Sequence, residues 1–478
     1  MRYFWENKIF FLIIIIFFGI IFLFPKPLYA SDSIFPEVKI FDSDLVKQET
    51  SFYGFDQAFR GGVRVATGDI NRDNVVEIIV AAGIGGGPNV QIFRADATKL
   101  KSFMAYDINF RNGISIASCD VNNDGYDEVI TGPGSSSGPN VKIFKGDGTQ
   151  LISFMAYDQD FRGGVNVACG DINGDGKDEI ITGAGPGGKS HVRIFNELGT
   201  YLGLNFWPFD KSFEGGVSVA VADVDGDSTK EILMGVNKFG KSLVKIYEAN
   251  SEKTILGEFT AFPDTFLGGV NLTGLDIDSD GRDEILAAAN SGGGPQVRSF
   301  EINGEASRVN FFPYPEDFRG GVFIAVGDVN QEGIKEIITG PGFLNRTNSE
   351  NYYKYIEIDI SEQKLEYFEN GFKKGEYRVS TGKTTMPTPL GTFKIKNKSP
   401  VAYSKKYGLY MPYWNQFTSQ GHGLHGLPFW ALKGGGRYYE GLNHLGVRVS
   451  HGCVRLSIQD AETIYNWAPV GTPIIIHS

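Results

Sequence analysis

Short apolar runs separated by turn residues repeat six times before residue 343. Each unit opens on a motif such as FDQAFRGGV at residues 55–63, and the last phenylalanine of this motif recurs at spacings of 51, 51, 52, 53 and 52 residues. Within each unit, runs such as VRVA, EIIV and NVQIF are bounded by Gly, Asn, Asp and Pro, which favour turns. The pattern therefore predicts four short β-strands in every unit.

A period near 50 residues with four strands is typical of a propeller blade or a solenoid coil. The sixth unit stops at residues 339–342 without its NVKIF strand, whereas an orphan copy, EVKIF, stands at residues 37–41. This first strand can complete the last blade and close a ring, and an open solenoid would have no use for it. We therefore predict a six-bladed β-propeller over residues 35–342.

Each unit also carries an acidic turn with carboxylate or amide side chains at positions 1, 3, 5 and 9. Oxygen ligands at alternate positions of a tight turn can converge on one hard cation, and glycine at position 6 permits the bend. That glycine is present in four turns and absent from the first and the fourth. The alternative is that Asp and Asn only stabilise hairpin turns. The candidate ligands are Asp69, Asn71, Asp73, Glu77, Asp120, Asn122, Asp124, Glu128, Asp171, Asn173, Asp175, Glu179, Asp223, Asp225, Asp227, Glu231, Asp276, Asp278, Asp280, Glu284, Asp328, Asn330, Glu332 and Glu336.

These turns resemble the calcium loops of integrin-α-type FG-GAP propellers. The resemblance implies structural calcium in the propeller loops, of which the first and the sixth are the weakest candidates. It leaves open whether the outer surface of the propeller binds a glycan or a protein.

Beyond a polar linker at residues 343–351, the repeat ends and a mainly β domain is predicted over residues 352–478. Alternating runs such as YIEIDI predict strands, and only residues 459–467 have a helical pattern. The whole chain is thus predicted to be mostly all-β.

An apolar segment precedes the propeller at residues 1–30. Its sixteen uncharged apolar residues, 9–24, follow Arg2 and Lys8 and end at Pro25. This is the pattern of a signal peptide, but the segment is also almost long enough to be a retained membrane anchor helix. Both alternatives predict export to the cell envelope, on the outer face of the cytoplasmic membrane or in the wall.

Charge and histidine are unevenly distributed between the two regions. The net charge of −11 argues against a nucleic-acid partner. Residues 351–478 contain 15 Lys and Arg against 9 Asp and Glu, whereas the rest of the chain contains 30 against 47. Five of the six histidines lie in the last 57 residues. The candidate chemistry therefore lies in the C-terminal region.

That region contains SHGCVRL at residues 450–456, preceded by GLHG at residues 423–426. A single cysteine with a histidine elsewhere in the sequence is a candidate nucleophile and base. A neighbouring imidazole and Arg455 are expected to lower the pKa of Cys453. The alternative is a buried structural cysteine beside incidental histidines.

Together with the entry strand, the STGK…PTPLGTF element, MPYW (411–414) and the closing VGTPIII, these motifs resemble the L,D-transpeptidase catalytic domain. The resemblance implies that Cys453 attacks the carbonyl between the third and fourth residues of a peptidoglycan stem peptide. It implies that His425 is the base, oriented by the carbonyl of Gly426. Ser450, His451 and Arg455 match signature positions, and Gly452 and Cys453 would supply oxyanion N–H groups.

The resemblance implies cross-linking of donor and acceptor stem peptides without a catalytic cofactor. Two alternatives remain open, an L,D-carboxypeptidase with water as the acceptor and a wall-binding or adhesin protein with an inactive catalytic domain. The 24 residues between His425 and Ser450 are either a lid or a plain insertion, and they bring His444 in as a rival base.

The two remaining cysteines, Cys119 and Cys169, fall in neighbouring units. One stands one residue before the first Asp of its loop and the other two residues before it. Because strand side chains alternate between faces, equivalent strands would point these thiols to opposite sides. We therefore expect two buried thiols rather than a disulfide.

Overall fold

The computed structural model describes residues 35–43, 46–343, 354–369 and 372–477. The predicted signal or anchor segment at residues 1–30 and nearly all of the predicted linker lie outside these ranges. Within them, every helix is too short or too polar to cross a membrane.

Six four-stranded antiparallel sheets account for residues 37–341. Five of them are meanders of consecutive short strands, because every apolar run ends at a turn rich in Gly, Asn and Asp. Their strands are β1 (Glu37–Phe41), β2 (Gln48–Tyr53), β3 (Val63–Gly68), β4 (Glu77–Ala82), β5 (Asn89–Phe93), β6 (Lys99–Met104), β7 (Ile114–Cys119), β8 (Glu128–Pro133), β9 (Asn140–Phe144), β10 (Gln150–Met155), β11 (Val165–Gly170), β12 (Glu179–Ala184), β13 (Val192–Phe195), β14 (Tyr201–Phe206), β15 (Val217–Ala222), β16 (Glu231–Val236), β17 (Leu243–Tyr247), β18 (Ile255–Thr260), β19 (Val270–Leu275), β20 (Glu284–Ala289), β21 (Val297–Phe300), β22 (Ala306–Phe311), β23 (Val322–Gly327) and β24 (Glu336–Pro341).

The two ends of this region meet in one sheet, ordered β2-β1-β24-β23. Lys39 pairs with Thr339 and Ile40 with Ile338, in antiparallel register. The orphan strand predicted to complete the last unit therefore does so, and β2 joins it, so that two strands from each end form the sheet. Main-chain pairing between residues 300 positions apart holds the first repeat to the last.

The sheets are arranged as propeller-like blades. The first strands of successive sheets, β3, β7, β11, β15, β19 and β23, pack on one another in sequence, and β23 packs back on β3. The second strand of every sheet is buried along its whole length. Neighbouring sheets cover both of its faces, which is why these strands read as continuous apolar runs instead of alternating ones.

Cys119 and Cys169 form a disulfide, so the expectation of two free buried thiols is wrong. Their Cα atoms are 6.2 Å apart, and the bridge joins β7 to β11 of the next sheet. In these sheets, the front face of one blade packs on the back face of the next. A disulfide between equivalent strands of adjacent blades therefore joins two side chains that point to opposite faces of their own sheets. The one-residue offset that argued against the bridge is therefore the offset that it requires.

We expect this bridge to stabilise the repeats. Closing a loop of 50 residues removes conformational freedom from the unfolded chain, and native disulfides typically contribute about 2–4 kcal/mol. The double variant C119S/C169S should therefore unfold at lower denaturant than the oxidised protein. The reduced wild type is the matched control and should unfold with the double variant; identical midpoints for all three would contradict a stabilising bridge.

The C-terminal region consists of two sheets, one mixed and five-stranded and the other built around a long central strand, with one helix. The order of the first sheet is β27-β26-β25-β35-β28, with β25 and β35 parallel. The second sheet has the order β33-β32-β30-β31-β34, and β29 pairs with β30. Their elements are β25 (Lys354–Asp359), β26 (Lys364–Glu369), β27 (Phe372–Arg378), β28 (Gly391–Lys394), β29 (Asn397–Ser404), β30 (Leu409–Gln416), β31 (Gly423–Gly426), β32 (Phe429–Ala431), β33 (Arg437–Tyr439), a 3-10 turn (Leu442–His444), β34 (Val454–Leu456), α1 (Ile458–Trp467) and β35 (Pro473–His477).

Helix α1 closes one side of the core of this region. It begins where the hydroxyl of Ser457 accepts a hydrogen bond from the Asp460 N–H at 3.1 Å, a side-chain N-cap. Its buried residues Ala461 and Ile464 pack with Leu424, Val454 and other apolar side chains of the sheets. The core therefore fixes β31 and β34, the two strands next to the candidate catalytic residues.

Candidate active site and candidate metal loops

The two catalytic motifs lie on adjacent parallel strands. In the register of β31 and β34, Leu424 pairs with Val454 and His425 with Arg455. Leu424 and Val454 point into the hydrophobic core. Because side chains alternate along a strand, His425 and Arg455 project from the opposite face, and Cys453, just before β34, follows the same alternation.

The imidazole of His425 is held in one tautomer by the backbone. Its Nδ1 lies 2.6 Å from the carbonyl oxygen of Gly426, which can only accept, so Nδ1 carries the proton and Nε2 is left as the acceptor. The side chain is 2% exposed, and the Trp414 ring lies 5.6 Å away, centroid to centroid. Burial lowers the pKa of His425 to about 3, which keeps the imidazole neutral.

The thiol of Cys453 differs from the sequence-based expectation. Burial raises its pKa, although a hydrogen bond from the backbone of Gly423 and the charge of Arg455 act in the opposite direction. The expected lowering by imidazole and Arg455 is therefore wrong in sign, because desolvation of the thiolate outweighs both favourable contacts. The neutral imidazole contributes no positive charge to offset it.

The SHGC turn is shaped by its own side chains. The Ser450 hydroxyl donates to the Cys453 carbonyl at 2.5 Å and accepts from the Gly452 N–H at 3.1 Å. Gly452 has φ +106°, and a Cβ there would lie 2.7 Å from the ring of His422. Glycine is required for both reasons. Of the two N–H groups predicted to bind an oxyanion, that of Gly452 is thus already engaged.

A second segment, residues 380–383, forms backbone hydrogen bonds with the residues on either side of this turn. The N–H of Ser380 donates to the Arg455 carbonyl, the N–H of Arg455 donates to the Ser380 carbonyl, and both distances are 2.9 Å. The N–H of Lys383 donates to the Ser450 carbonyl at 3.1 Å. The STGK motif therefore fixes the backbone on both sides of Cys453. His451 is exposed and stacks on the ring of Tyr407 at 4.7 Å.

The 24 residues between His425 and Ser450 form the hairpin β32–β33 and the 3-10 turn, rather than an irregular loop. Phe429 pairs with both Tyr410 and Tyr439, so the hairpin extends the sheet of β30. Glu440 directly follows β33, and its carboxylate contacts the side chain of Arg455, two residues after Cys453.

Glu440 is a residue that sequence reasoning missed. Its carboxylate lies 2.9 Å from Nη1 of Arg455 and 3.0 Å from Nδ1 of His444. The Arg455 side chain is only 9% exposed, so this ion pair compensates a largely buried charge. The sequence did contain a signal for this residue: Glu440 is the one acidic residue between Glu376 and Asp460, in a stretch with several basic residues. His444, the rival base, thus contacts a carboxylate.

Two further residues contact glycines of the site: His422, for which the sequence offers no supporting pattern, and Trp414, the last residue of MPYW. His422 packs against Gly452, and its Nδ1 lies 2.9 Å from the hydroxyl of Thr418. Trp414 covers Gly423 so closely that a Cβ at that glycine would lie 2.4 Å from the indole. Both contacts are set by tertiary packing rather than by spacing along the chain.

The six acidic turns of the repeats share one backbone conformation. Position 4 has φ between 57° and 81°, and position 6 has φ between 62° and 89°, in every turn. Asn74 and Ser228 adopt this left-handed conformation where glycine is missing, so the first and fourth turns keep the same shape. In all six turns the N–H of position 6 donates to the aspartate at position 1, at 2.7–3.1 Å.

The donor chemistry of these turns fits a hard cation. In the fourth and fifth turns, three aspartates each bring carboxylate oxygens within 4.8 Å of one another. The glutamate at position 9 is buried in all six turns, and desolvation raises its pKa, to about 7 in five of them. Among the described residues, Glu128 Oε2 and Asp328 Oδ1 are buried without a hydrogen-bond partner. A bound cation would satisfy this uncompensated negative charge.

Residues 353–476 match the family model of the L,D-transpeptidase catalytic domain, and residues 120–182 and 171–234 match that of the FG-GAP-like repeat. A curated relative named "Probable L,D-transpeptidase 3", from Mycobacterium tuberculosis, is 33% identical over 114 residues, which are 21% of this chain and 38% of that protein. The chain spans 38% to 64% of the curated relatives it matches.

Two solved structures are also similar. The L,D-transpeptidase of Stackebrandtia nassauensis is 29% identical with a TM-score of 0.22, over 27% of this chain and 56% of that one. The catalytic domain of the E. faecium L,D-transpeptidase is 27% identical with a TM-score of 0.20, over 26% of this chain and 96% of that one. The chain thus carries an L,D-transpeptidase catalytic domain at residues 353–476, with FG-GAP-like repeats before it in the sequence.

Proposed function

We propose that the protein is an exported peptidoglycan L,D-transpeptidase that works through an acyl-enzyme on Cys453. The observation that carries the proposal is the hydrogen bond from His425 Nδ1 to Gly426, on the strand paired with the one after Cys453. It leaves Nε2 of a neutral, buried imidazole as the acceptor for the thiol proton. A structural cysteine beside incidental histidines would not need this fixed tautomer.

In the proposed reaction, Sγ of Cys453 attacks the carbonyl carbon between the third and fourth residues of the donor stem. The thiol proton passes to Nε2 of His425 and then to the nitrogen of the leaving D-alanine, and a thioester remains. The Cys453 N–H is the proposed oxyanion donor, because the Gly452 N–H is bonded to Ser450. An acceptor amine then attacks the thioester, gives its proton to His425, and the thiolate leaves and is reprotonated.

The pKa values favour general-base catalysis over a preformed ion pair. With the thiol pKa raised and the His425 pKa lowered, the resting pair is a neutral thiol and a neutral imidazole. Proton transfer must then accompany the attack, a step that general bases typically accelerate by about 10²–10⁴. Ser450 and the segment 380–383 would hold the turn, and Arg455 would bring a positive charge near the thiolate as it forms.

Incubation of the protein with a disaccharide-tetrapeptide, followed by mass analysis, tests this proposal. Cross-linked dimer with loss of D-alanine is the expected product. Tripeptide alone would identify an L,D-carboxypeptidase at the same site. Recovery of unchanged substrate from the folded protein would favour a wall-binding or adhesin protein with an inactive domain.

We further propose that Glu440 is a positioning residue that acts through Arg455. In Glu440→Gln the guanidinium loses its charged partner at 2.9 Å, so acylation by the donor peptide should fall about tenfold, the loss of one charge-assisted contact. The same change removes a negative charge that offsets Arg455, so the pKa of Cys453 should fall.

Release of D-alanine from the donor peptide measures the change in acylation rate. Alkylation of Cys453 followed against pH measures the change in the pKa of the thiol. Glu376→Gln is the matched control, because the ion pair of Glu376 with Lys373 is about half exposed. A merely structural role for Glu440 would lower the melting temperature and leave the pH profile of alkylation where it was.

For the N-terminal repeats, we propose a six-bladed β-propeller over residues 35–342 that holds calcium in its acidic turns. Three observations support the metal: the carboxylates within 4.8 Å, the buried glutamates and the two carboxylate oxygens without a partner. The candidate ligands at positions 1, 3, 5 and 9 would hold the ion, which would neutralise the turns. The metal would be structural, with no part in the acyl transfer.

Chelation should therefore lower the melting temperature of the repeats, and calcium should restore it. A cation that binds only the folded state adds about 2.7 kcal/mol per site at a hundredfold excess over its Kd, or about 4 °C per site for a domain of roughly 300 residues. Differential scanning fluorimetry with EDTA, then with calcium or sodium at equal ionic strength, checks this. An unchanged transition in EDTA would leave the turns as hairpin stabilisers only.

We also propose that the protein acts in the cell envelope, outside the cytoplasm. Peptidoglycan stems lie there, and the Cys119–Cys169 disulfide belongs in an oxidising compartment. Residues 1–30 would direct export, either as a cleaved signal peptide or as a retained anchor.

A further inference from the structure

A cavity of about 220 Å³ lies where the six first strands of the repeats begin. The second residue of each of these strands lines it, so every sheet contributes to its wall. The flanking first and third positions of these strands are Val, Ile or Leu in every unit, whereas the second position differs in chemistry from unit to unit. The residues at the second position are Arg64, Ser115, Asn166, Ser218, Asn271 and Phe323.

The polar members of this ring are held in place by the neighbouring sheet. Nδ2 of Asn166 donates to the Val217 carbonyl and Nδ2 of Asn271 to the Val322 carbonyl, both at 2.7 Å. These bonds assign the amide orientation, so the Oδ1 atom of each amide is the acceptor that remains. The wall is therefore rigid, and its acceptors are fixed before any ligand arrives.

The charge of the cavity is opposite to that of the repeats around it. Arg64 and Lys238 line it, and no Asp or Glu does, although residues 1–350 carry 47 acidic against 30 basic side chains. The guanidinium of Arg64 lies over the ring of Phe323 at 4.4 Å, which fixes its position. Among the described residues, Lys238 takes part in none of the ion pairs.

From these features we propose that the cavity binds one small carboxylate that also carries hydroxyl or amide N–H groups. The carboxylate would pair with Lys238, and the O–H or N–H groups would donate to Oδ1 of Asn166 and Asn271. The volume is that of a single sugar or amino-acid unit rather than of a polymer. A sugar acid and an acylated amino acid both meet this description. The inference is independent of the proposed transpeptidase reaction.

Calorimetric titration of the full-length protein tests the proposal and separates the two sources. The probes are D-glucuronate, N-acetyl-D-alanine and methyl β-D-glucoside, the last as the neutral counterpart. Binding of either carboxylate with a Kd of about 10 mM or tighter, and at least tenfold weaker binding of the glucoside, is expected for a charge-assisted contact.

Matched lysine variants locate the binding. Lys238→Met should weaken the carboxylate about tenfold, whereas Lys241→Met, three residues away in an exposed ion pair with Asp264, should leave it unchanged. Melting temperatures equal to that of the wild type show that both variants are folded, and Lys238→Gln serves if Lys238→Met is not. No binding of either carboxylate, equal binding of the glucoside, or unchanged affinity in the folded Lys238 variant would overturn the proposal.

Discussion

Cys453→Ala should abolish release of D-alanine from a tetrapeptide donor, the largest effect that we expect from any single substitution. The proposed reaction passes through a thioester on Sγ, and alanine offers no nucleophile in its place. The fold should be unaffected, because the bonds that hold the turn use the backbone carbonyl of Cys453 and the side chain of Ser450. Liquid chromatography of released D-alanine, with equal melting temperatures for both proteins, checks the result.

Ser450→Ala is the informative companion to that variant. It keeps the thiol but removes the two hydrogen bonds of the Ser450 hydroxyl inside the turn. Activity should therefore fall but persist, which separates loss of the nucleophile from loss of its support. Turnover by Cys453→Ala at the wild-type rate would contradict the mechanism.

His425→Ala should give the second largest effect, a fall of about 10²–10⁴ in the rate of Cys453 acylation near pH 7. In the wild type, the pKa of His425 is lowered to about 3 and that of the thiol is raised. The base is then available at every pH above about 4, and the rate should change little up to neutral pH. Without the imidazole, the rate should depend on free thiolate and rise about tenfold per pH unit until the thiol ionises.

Rates of Cys453 alkylation between pH 5 and pH 10 distinguish the candidate bases. His444→Ala should keep the flat profile, since the His444 imidazole contacts Glu440 at 3.0 Å. His422→Ala should change the rate moderately, because its ring packs against Gly452 but its Nδ1 is bonded to Thr418. If only His444→Ala acquired the steep profile, the hairpin insertion would carry the base.

Much of this arrangement could be predicted because it is local or periodic in sequence. The apolar runs and turn residues within each unit predicted four strands, and the orphan strand at residues 37–41 predicted the sheet that joins both ends. The bond between His425 and the Gly426 carbonyl was implied by the family resemblance of the local motif GLHG. The same holds for the acidic turns, whose ligands stand within nine residues of each other.

The errors came from geometry between distant segments. The faces of Cys119 and Cys169 were correctly assigned as opposite, yet the front-to-back packing of blades turns that offset into a bond. The sign of the Cys453 pKa shift depends on desolvation, which no local spacing reports. Glu440 was missed because its partner Arg455 lies 15 residues away, a separation that no local motif connects.

The central claim is that the donor stem becomes attached to Cys453 itself. Intact-protein mass spectrometry of the protein quenched within its first turnovers on a tetrapeptide donor tests this claim directly. We predict a mass increase equal to the donor less D-alanine, located by digestion on the peptide that contains residues 450–455 and absent from Cys453→Ala. An acyl group on another residue, or dimer formation with no adduct on Cys453 at any time point, would contradict the account.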